Sequence, residues 1–208
     1  MRFLVFLFVS VFFSFTVQGQ SNSWKLKKSA DDVEVYFRKA DNSPINEIKI
    51  QTLLSGTVKT LLEIMRNVPG YPQWVYKCTF AELVARPSPS GAVYYAVMDF
   101  PWPLSDRDFV AESKIAYDNT GKVIITVNGV PGRVAERPER VRVPVMEYRW
   151  EFTPIDKTTI QLNYYLRSDP GGELPAWLIN LVIDQGPTQT VKNLRQLLAE
   201  KNGQGKGS

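Results

Sequence analysis

Apolar and polar side chains alternate through most of this chain, and the period switches to that of a helix in only two places. From Asp31 to Lys39, Val33, Val35 and Phe37 fall on one side and Asp32, Glu34, Tyr36 and Arg38 on the other, which predicts a half-buried strand. Asp41-Asn42-Ser43-Pro44 turns the chain, and Glu47 to Leu54 alternates again through Ile48, Ile50, Thr52 and Leu54. So short a link predicts an antiparallel pair. Ser55-Gly56-Thr57 then opens a helix with Val58, Leu61, Leu62 and Met65 on one face, ended by Asn67-Val68-Pro69-Gly70. Past the rigid aromatic corner Tyr71 to Trp74, six further strands are predicted: Lys77 to Arg86, Ala92 to Phe100, Phe109 to Tyr117, Lys122 to Asn128, Met146 to Pro154 and Thr159 to Arg167. In the last two, Tyr148, Trp150 and Phe152 share one side, as do Ile160, Leu162, Tyr164 and Leu166, so one face of the sheet is expected to be buried and the other wet.

Helical spacing returns from Gly171 to Glu200. Asp169-Pro170-Gly171-Gly172 stops the preceding strand, Pro175 suits a first helical turn, and Ile179, Ile183, Val191, Leu194 and Leu198 trace one stripe. Trp177, Leu178, Leu181 and Val182 widen that stripe beyond what a helix lying on a sheet with its back to water requires. Gly186-Pro187 predicts a kink or break, because proline removes a donor and clashes one turn back. The order strand, strand, helix, six strands, long helix predicts an α+β fold in which a long antiparallel sheet twists around the terminal helix. Between them lies either a filled core or a ligand space.

The first nineteen residues do not belong to this pattern. Arg2, a run of Phe, Leu and Val, and a small-residue exit ahead of Gln20 have the form of a secretory leader. The expected organisation is a leader over residues 1–19, one domain over 20–200 and a flexible tail over 201–208, in an exported protein, periplasmic or secreted. Removing the leader takes away only Arg2, lowering the formal net charge of +4 by one, to +3, far from the basic excess of a nucleic-acid-binding protein. Cys78 is the sole cysteine and has no intramolecular disulfide partner. Histidine is absent, which removes the serine-histidine and cysteine-histidine nucleophile systems and the usual zinc sites. Neither a metal nor a cofactor is expected.

Two stretches go beyond pattern. Asp99 to Val110, DFPWPLSDRDFV, closely resembles the segment that marks steroidogenic-acute-regulatory-related lipid-transfer (START) domains, and Gly172-Glu173-Leu174-Pro175 through Asn180 resembles the start of that family's last helix. Trp74 sits where the family commonly has a tryptophan. The resemblance spans the chain from Gln20 to its tail and implies a helix-grip fold, a U-shaped antiparallel sheet around the C-terminal helix, with a hydrophobic tunnel for one lipid. It further implies that the loop Gly129 to Val145 lies at the tunnel mouth, where Arg133, Arg137, Arg140 and Arg142 are the expected contacts to an anionic membrane. Arg107-Asp108 is read as structural, the arginine fork tying the strand start to a neighbouring carboxylate or carbonyl. Sterol-binding relatives carry an arginine six positions after the signature arginine; Ser113 stands there in this chain, which favours a ligand with no charged group deep in the pocket.

Inward parity and lid position make Trp74, Phe109, Ser113, Tyr148, Trp150, Phe152, Leu162, Tyr164, Leu178 and Val182 the expected ligand-lining residues of a non-catalytic, monomeric lipid-binding or transfer protein. An enzyme of the cyclase or hydrolase kind needs ionisable groups on the same face; on the two cleanest strands the acids point outward and leave Tyr148 and Tyr164. A structural partner-binding module is the third reading, and would show a filled core and a large exposed apolar patch.

Overall fold

The structure is a computed structural model that describes residues 23–204; the predicted leader and residues 205–208 lie outside the described residues. Ten strands form one sheet: β1 (Lys25–Ala30), β2 (Val33–Arg38), β3 (Glu47–Ser55), β4 (Cys78–Ser88), β5 (Gly91–Met98), β6 (Arg107–Tyr117), β7 (Val123–Gly129), β8 (Val141–Arg142), β9 (Val145–Pro154) and β10 (Thr159–Asp169). Their order is β1-β2-β3-β10-β9-β7-β6-β5-β4, antiparallel throughout, with the two-residue β8 pairing parallel to β6 off that path. The eight strands read from alternation are all present. β1 was missed because KLKKSA has no alternation; it is an exposed edge held by its ladder to β2. Asp31 and Asp32, read as the start of a strand, form its two-residue turn, both with positive φ (56° and 59°), the geometry that matches strand twist.

Helix α1 (Val58–Arg66) starts at Thr57, whose hydroxyl accepts the Thr60 N–H at 3.1 Å, and it buries Leu61, Ile64 and Met65. A 3-10 turn over Val68–Gln73 follows, fixed by the Tyr71 hydroxyl donating to the Met65 carbonyl at 3.0 Å. The terminal helix is two helices, α2 (Ala176–Val182) and α3 (Gln185–Gln204). The break falls at Ile183-Asp184, ahead of the predicted Gly186-Pro187, because Pro187 sits in the first turn of α3, where its missing N–H costs nothing. α3 also runs four residues into the stretch read as tail.

α3 packs Val191, Leu194 and Leu198, all fully buried, against β3 and α1. Polar ties fix its angle. Lys27 pairs with Asp184 at 2.9 Å, Arg195 donates to the Asp31 carbonyl at 2.7 Å, the Thr190 hydroxyl accepts the Tyr76 N–H at 3.0 Å, and Asn193 donates to the Trp74 carbonyl at 3.0 Å. The core is thus the inner face of the sheet, with Val35, Ile48, Ile50, Leu54, Phe152, Ile160 and Leu162 closed to solvent under α1 and α3.

The outer face is not uniformly wet. Seven consecutive residues of β5, Gly91 to Val97, are buried, because the segment after β7 folds back and packs Val130 and Val134 on Val93, Tyr95, Val97 and Val110. The continuous apolar run GAVYYAVM is the sequence signal of such two-sided burial.

Candidate functional site

The inner face carries a chain of touching aromatic rings. Trp150 stacks on its cross-strand partner Tyr164 with centroids 3.5 Å apart and lies parallel to Phe152 at 6.0 Å. Trp74 meets Trp150 edge-on at 6.4 Å and Tyr71 at 5.4 Å; Tyr71 meets Tyr94 at 5.4 Å, and Tyr94 meets Phe109 at 6.1 Å. Tyr148 stands against Tyr164 at 5.9 Å. The period-2 pattern of β5, β6, β9 and β10 places these rings on one side, and the corner after α1 drives Trp74 and Tyr71 in from the other.

The polar atoms in this cluster are few, and one of them is buried and unmet. Trp74 is 3 % exposed, and its indole N–H is buried without a partner. Among the described residues no hydrogen bond reaches the hydroxyls of Tyr94 or Tyr164, and neither oxygen is fully closed to solvent. Burial pushes the Tyr94, Tyr148 and Tyr164 phenols above their ordinary pKa, and for Tyr94 and Tyr164 the neighbouring phenols add to the effect. At neutral pH all three are protonated, so they donate and accept hydrogen bonds but supply no base. Cys78, at the edge of the cluster, has its thiol pushed up to about 11 by burial and is unreactive for the same reason.

Of the predicted lining residues, Trp74, Phe109, Tyr148, Trp150, Phe152, Leu162 and Tyr164 belong to this inner cluster or pack against it. Ser113 lies on the same face, its hydroxyl on the Ala92 carbonyl at 3.4 Å. Leu178 and Val182 do not belong: they are 36 % and 43 % exposed, with Trp177 at 70 % and Leu181 at 63 %. Within α2 only Ile179 is buried, so its apolar breadth faces outward rather than covering a second surface. Tyr71 and Tyr94 were missed, since the unbroken apolar run of β5 conceals which of its tyrosines turns inward. The described residues form a groove of about 1210 Å³ lined largely by polar side chains of β2, β3, β10 and α3, and a depression of about 310 Å³ around Trp24, Arg149 and Tyr165. Of the predicted lining residues only Tyr148 borders either.

Arg107 and Asp108, adjacent on β6, point to opposite faces and tie down neighbouring segments on both. Inside, Arg107 donates to the carbonyls of Ser105 at 2.5 Å and Pro170 at 3.4 Å, with its guanidinium over the Phe100 ring. Outside, Asp108 takes Arg142 at 2.7 Å and 3.2 Å and the Tyr95 hydroxyl at 3.0 Å. Arg142 also donates to the carbonyls of Pro131, Val134 and Ala135. Its segment then runs beside Gly171, where an added Cβ would lie 3.0 Å from Pro144 and 3.2 Å from the Arg142 carbonyl. Gly171 and Gly172 both hold positive φ (69° and 76°), so α2 hangs from a two-glycine joint that other residues would strain.

The structural role read for Arg107 therefore holds, while the reading of the basic loop changes. Arg142 is an inward tie with a side chain 5 % exposed, Arg140 donates to the Tyr95 hydroxyl at 2.8 Å, and Arg137 lies over the Tyr95 ring at 5.3 Å. Counting charges in the loop did not reveal that Asp108 and Tyr95 claim three of them. Arg133 and Arg137 are both exposed, and of the four Arg133 alone makes no such contact.

A family model described as the START domain matches residues 13–202. An uncharacterized protein of Pseudomonas aeruginosa is 29% identical over 189 residues, covering 90% of this chain and 93% of its own. The phosphatidylcholine transfer protein of Rattus norvegicus is 24% identical over 176 residues, covering 82% and 81%. Among solved structures, a STAR-related lipid transfer protein from Xanthomonas axonopodis superimposes with a TM-score of 0.78 at 27% identity, over 84% of this chain and 98% of that one.

Proposed function

Because the chain belongs to the START domain family, whose members bind lipid or another hydrophobic ligand, we propose that it is an exported, non-catalytic carrier that shields one lipid between its sheet and its C-terminal helices and passes it between membranes. The observation that carries this reading is the aromatic inner face of the sheet, with a short helix, α2, cut from α3 and hung on Gly171-Gly172. Apolar burial is worth roughly 25 cal/mol per Å², so several hundred Å² of acyl chain contribute on the order of 10 kcal/mol against the cost of opening the interior. Loading requires α2 to swing on its joint and the rings to part. Protonated phenols and an absence of inward acids among the described residues of β9 and β10 support binding over acid-base chemistry. The relatedness to phosphatidylcholine transfer proteins supports the carrier reading.

The test is native mass spectrometry of the secreted, detergent-free protein. A one-to-one lipid adduct is expected, and a protein that stays free of adduct after incubation with mixed lipid vesicles contradicts the reading.

We place the transient membrane contact on the outward apolar side of α2, with Arg133 as its basic companion. Replacing both Trp177 and Leu181 with glutamate should slow lipid transfer between anionic vesicles by at least about tenfold while leaving the melting temperature unchanged, since both side chains are already in water. Unaltered transfer by a double variant of normal stability eliminates α2 as the contact.

A further inference from the structure

We propose that the interior selects a lipid whose polar end is uncharged, an ester or amide carbonyl or a hydroxyl, held by the indole N–H of Trp74 with the hydroxyls of Tyr94 and Tyr164. This rests on the lipid-carrier reading and narrows it to a ligand class. Trp74 Nε1 can only donate. It is buried beside Tyr71 and Trp150 with no acceptor, and a buried donor without a partner is a cost that folded proteins rarely carry without a compensating use. Tyr94 touches Tyr71 on one flank of Trp74, and Tyr164 stacks on Trp150 on the other, so the two rings that carry these hydroxyls flank the indole.

The charge of the ligand follows from what surrounds these atoms. The buried charged residues among those described are Arg107, Asp108 and Asp184, and each is engaged elsewhere. Asp108 is on the outer face with Arg142, Asp184 holds Lys27, and Arg107 is bound to two carbonyls at the start of β6. A phosphate brought to Trp74 would lie in an apolar site without a counter-charge, which costs more than three hydrogen bonds return. An ammonium head would find aromatic faces but leave the indole N–H as unmet as before. A neutral carbonyl accepts from the indole N–H and a phenol, a hydroxyl can in addition donate to a phenol oxygen, and neither leaves a charge buried.

The experiment holds the acyl chains constant. Delipidated protein is incubated with equimolar dioleoylglycerol, dioleoylphosphatidylcholine and dioleoylphosphatidylglycerol, and the retained adducts are weighed by native mass spectrometry. The wild type should retain dioleoylglycerol about tenfold or more over either phospholipid. Tyr164→Phe keeps the ring and deletes the hydroxyl, and Trp74→Phe keeps an aromatic ring and deletes the indole N–H; each should lower that retention roughly three- to tenfold, the worth of one hydrogen bond, without reducing phospholipid retention. Lipid-free Tyr164→Phe, which loses neither ring volume nor a hydrogen bond, should melt at the wild-type temperature, and this separates lost binding from lost folding. Preference for either phospholipid, or undiminished dioleoylglycerol retention in both variants, overturns the proposal while leaving the carrier reading intact; the second result would mean that water alone serves the indole N–H. Retention of no lipid at all overturns the carrier reading and this proposal together.

Discussion

Asp108→Ala should destabilise the fold by about 3–5 kcal/mol, the range for stripping one partner from a buried ion pair. The carboxylate and Arg142 have side chains only 1 % and 5 % exposed, and the carboxylate takes two bonds from the guanidinium and one from Tyr95. Without it the Arg142 charge remains inside with carbonyl partners alone, and the segment over β5 loses its anchor. An exposed pair such as Arg149 with Glu151 is worth at most about 1 kcal/mol by contrast, so the position of the pair decides the outcome.

The acid limb gives a second readout of the same residue. Burial pushes the Asp108 carboxyl up, but the hydrogen bonds from Arg142 and Tyr95, with the charges of Arg142 and Arg140, together pull harder and hold it below its ordinary 3.8. A depressed folded-state value means that this stabilisation is fully present above the unfolded carboxyl's pKa and is lost as pH falls through the folded one. Wild-type stability should therefore drop more steeply below pH 3.8 than that of Asp108→Asn, which keeps the shape and removes the titration. Urea denaturation across pH measures both effects, and a neutral-pH loss under about 1 kcal/mol for the alanine variant would contradict the role assigned to the pair.

Gly56 and Leu198 make the second large expectation. A Cβ at Gly56 would sit 2.5 Å from Leu198 Cγ and 2.8 Å from Cδ1, and Leu198 is fully buried. Gly56→Ala should cost about 1–3 kcal/mol by overpacking, beyond the strain of its backbone, and Leu198→Ala about 2–5 kcal/mol by leaving a cavity. The two should not add: the space left by leucine accepts the new methyl, so the double variant is more stable than the sum predicts by about 0.5–3 kcal/mol. Strict additivity in a denaturation cycle would mean that the two residues do not meet.

These contacts also show where sequence reasoning reached and where it stopped. Alternation placed eight strands and their inward faces because a half-buried strand repeats every two residues, and most of the inner aromatic cluster followed from parity alone. What escaped was set by partners distant in sequence. β1 depends on β2, the arginines of the loop after β7 depend on Asp108 and Tyr95, and Trp74's unmet N–H is visible only once its neighbours are in place. The stripe from Ile179 to Leu198 kept α2 in one helical phase up to a break expected at Gly186-Pro187. With a break at Ile183-Asp184, α2 takes its own phase, and Leu178 and Val182 turn to solvent.

The sheet order has a last consequence. A grip that must open cannot close into a barrel, so it keeps two raw rims, β1 and β4, each a template on which a stranger's backbone can zip. The two are blunted by different means. β1 presents Lys25 and Lys28 beside an irregular register, and β4 is bent by three register shifts and carries Pro87 near its end. The fold retains the freedom of an unclosed hand without recruiting an eleventh finger.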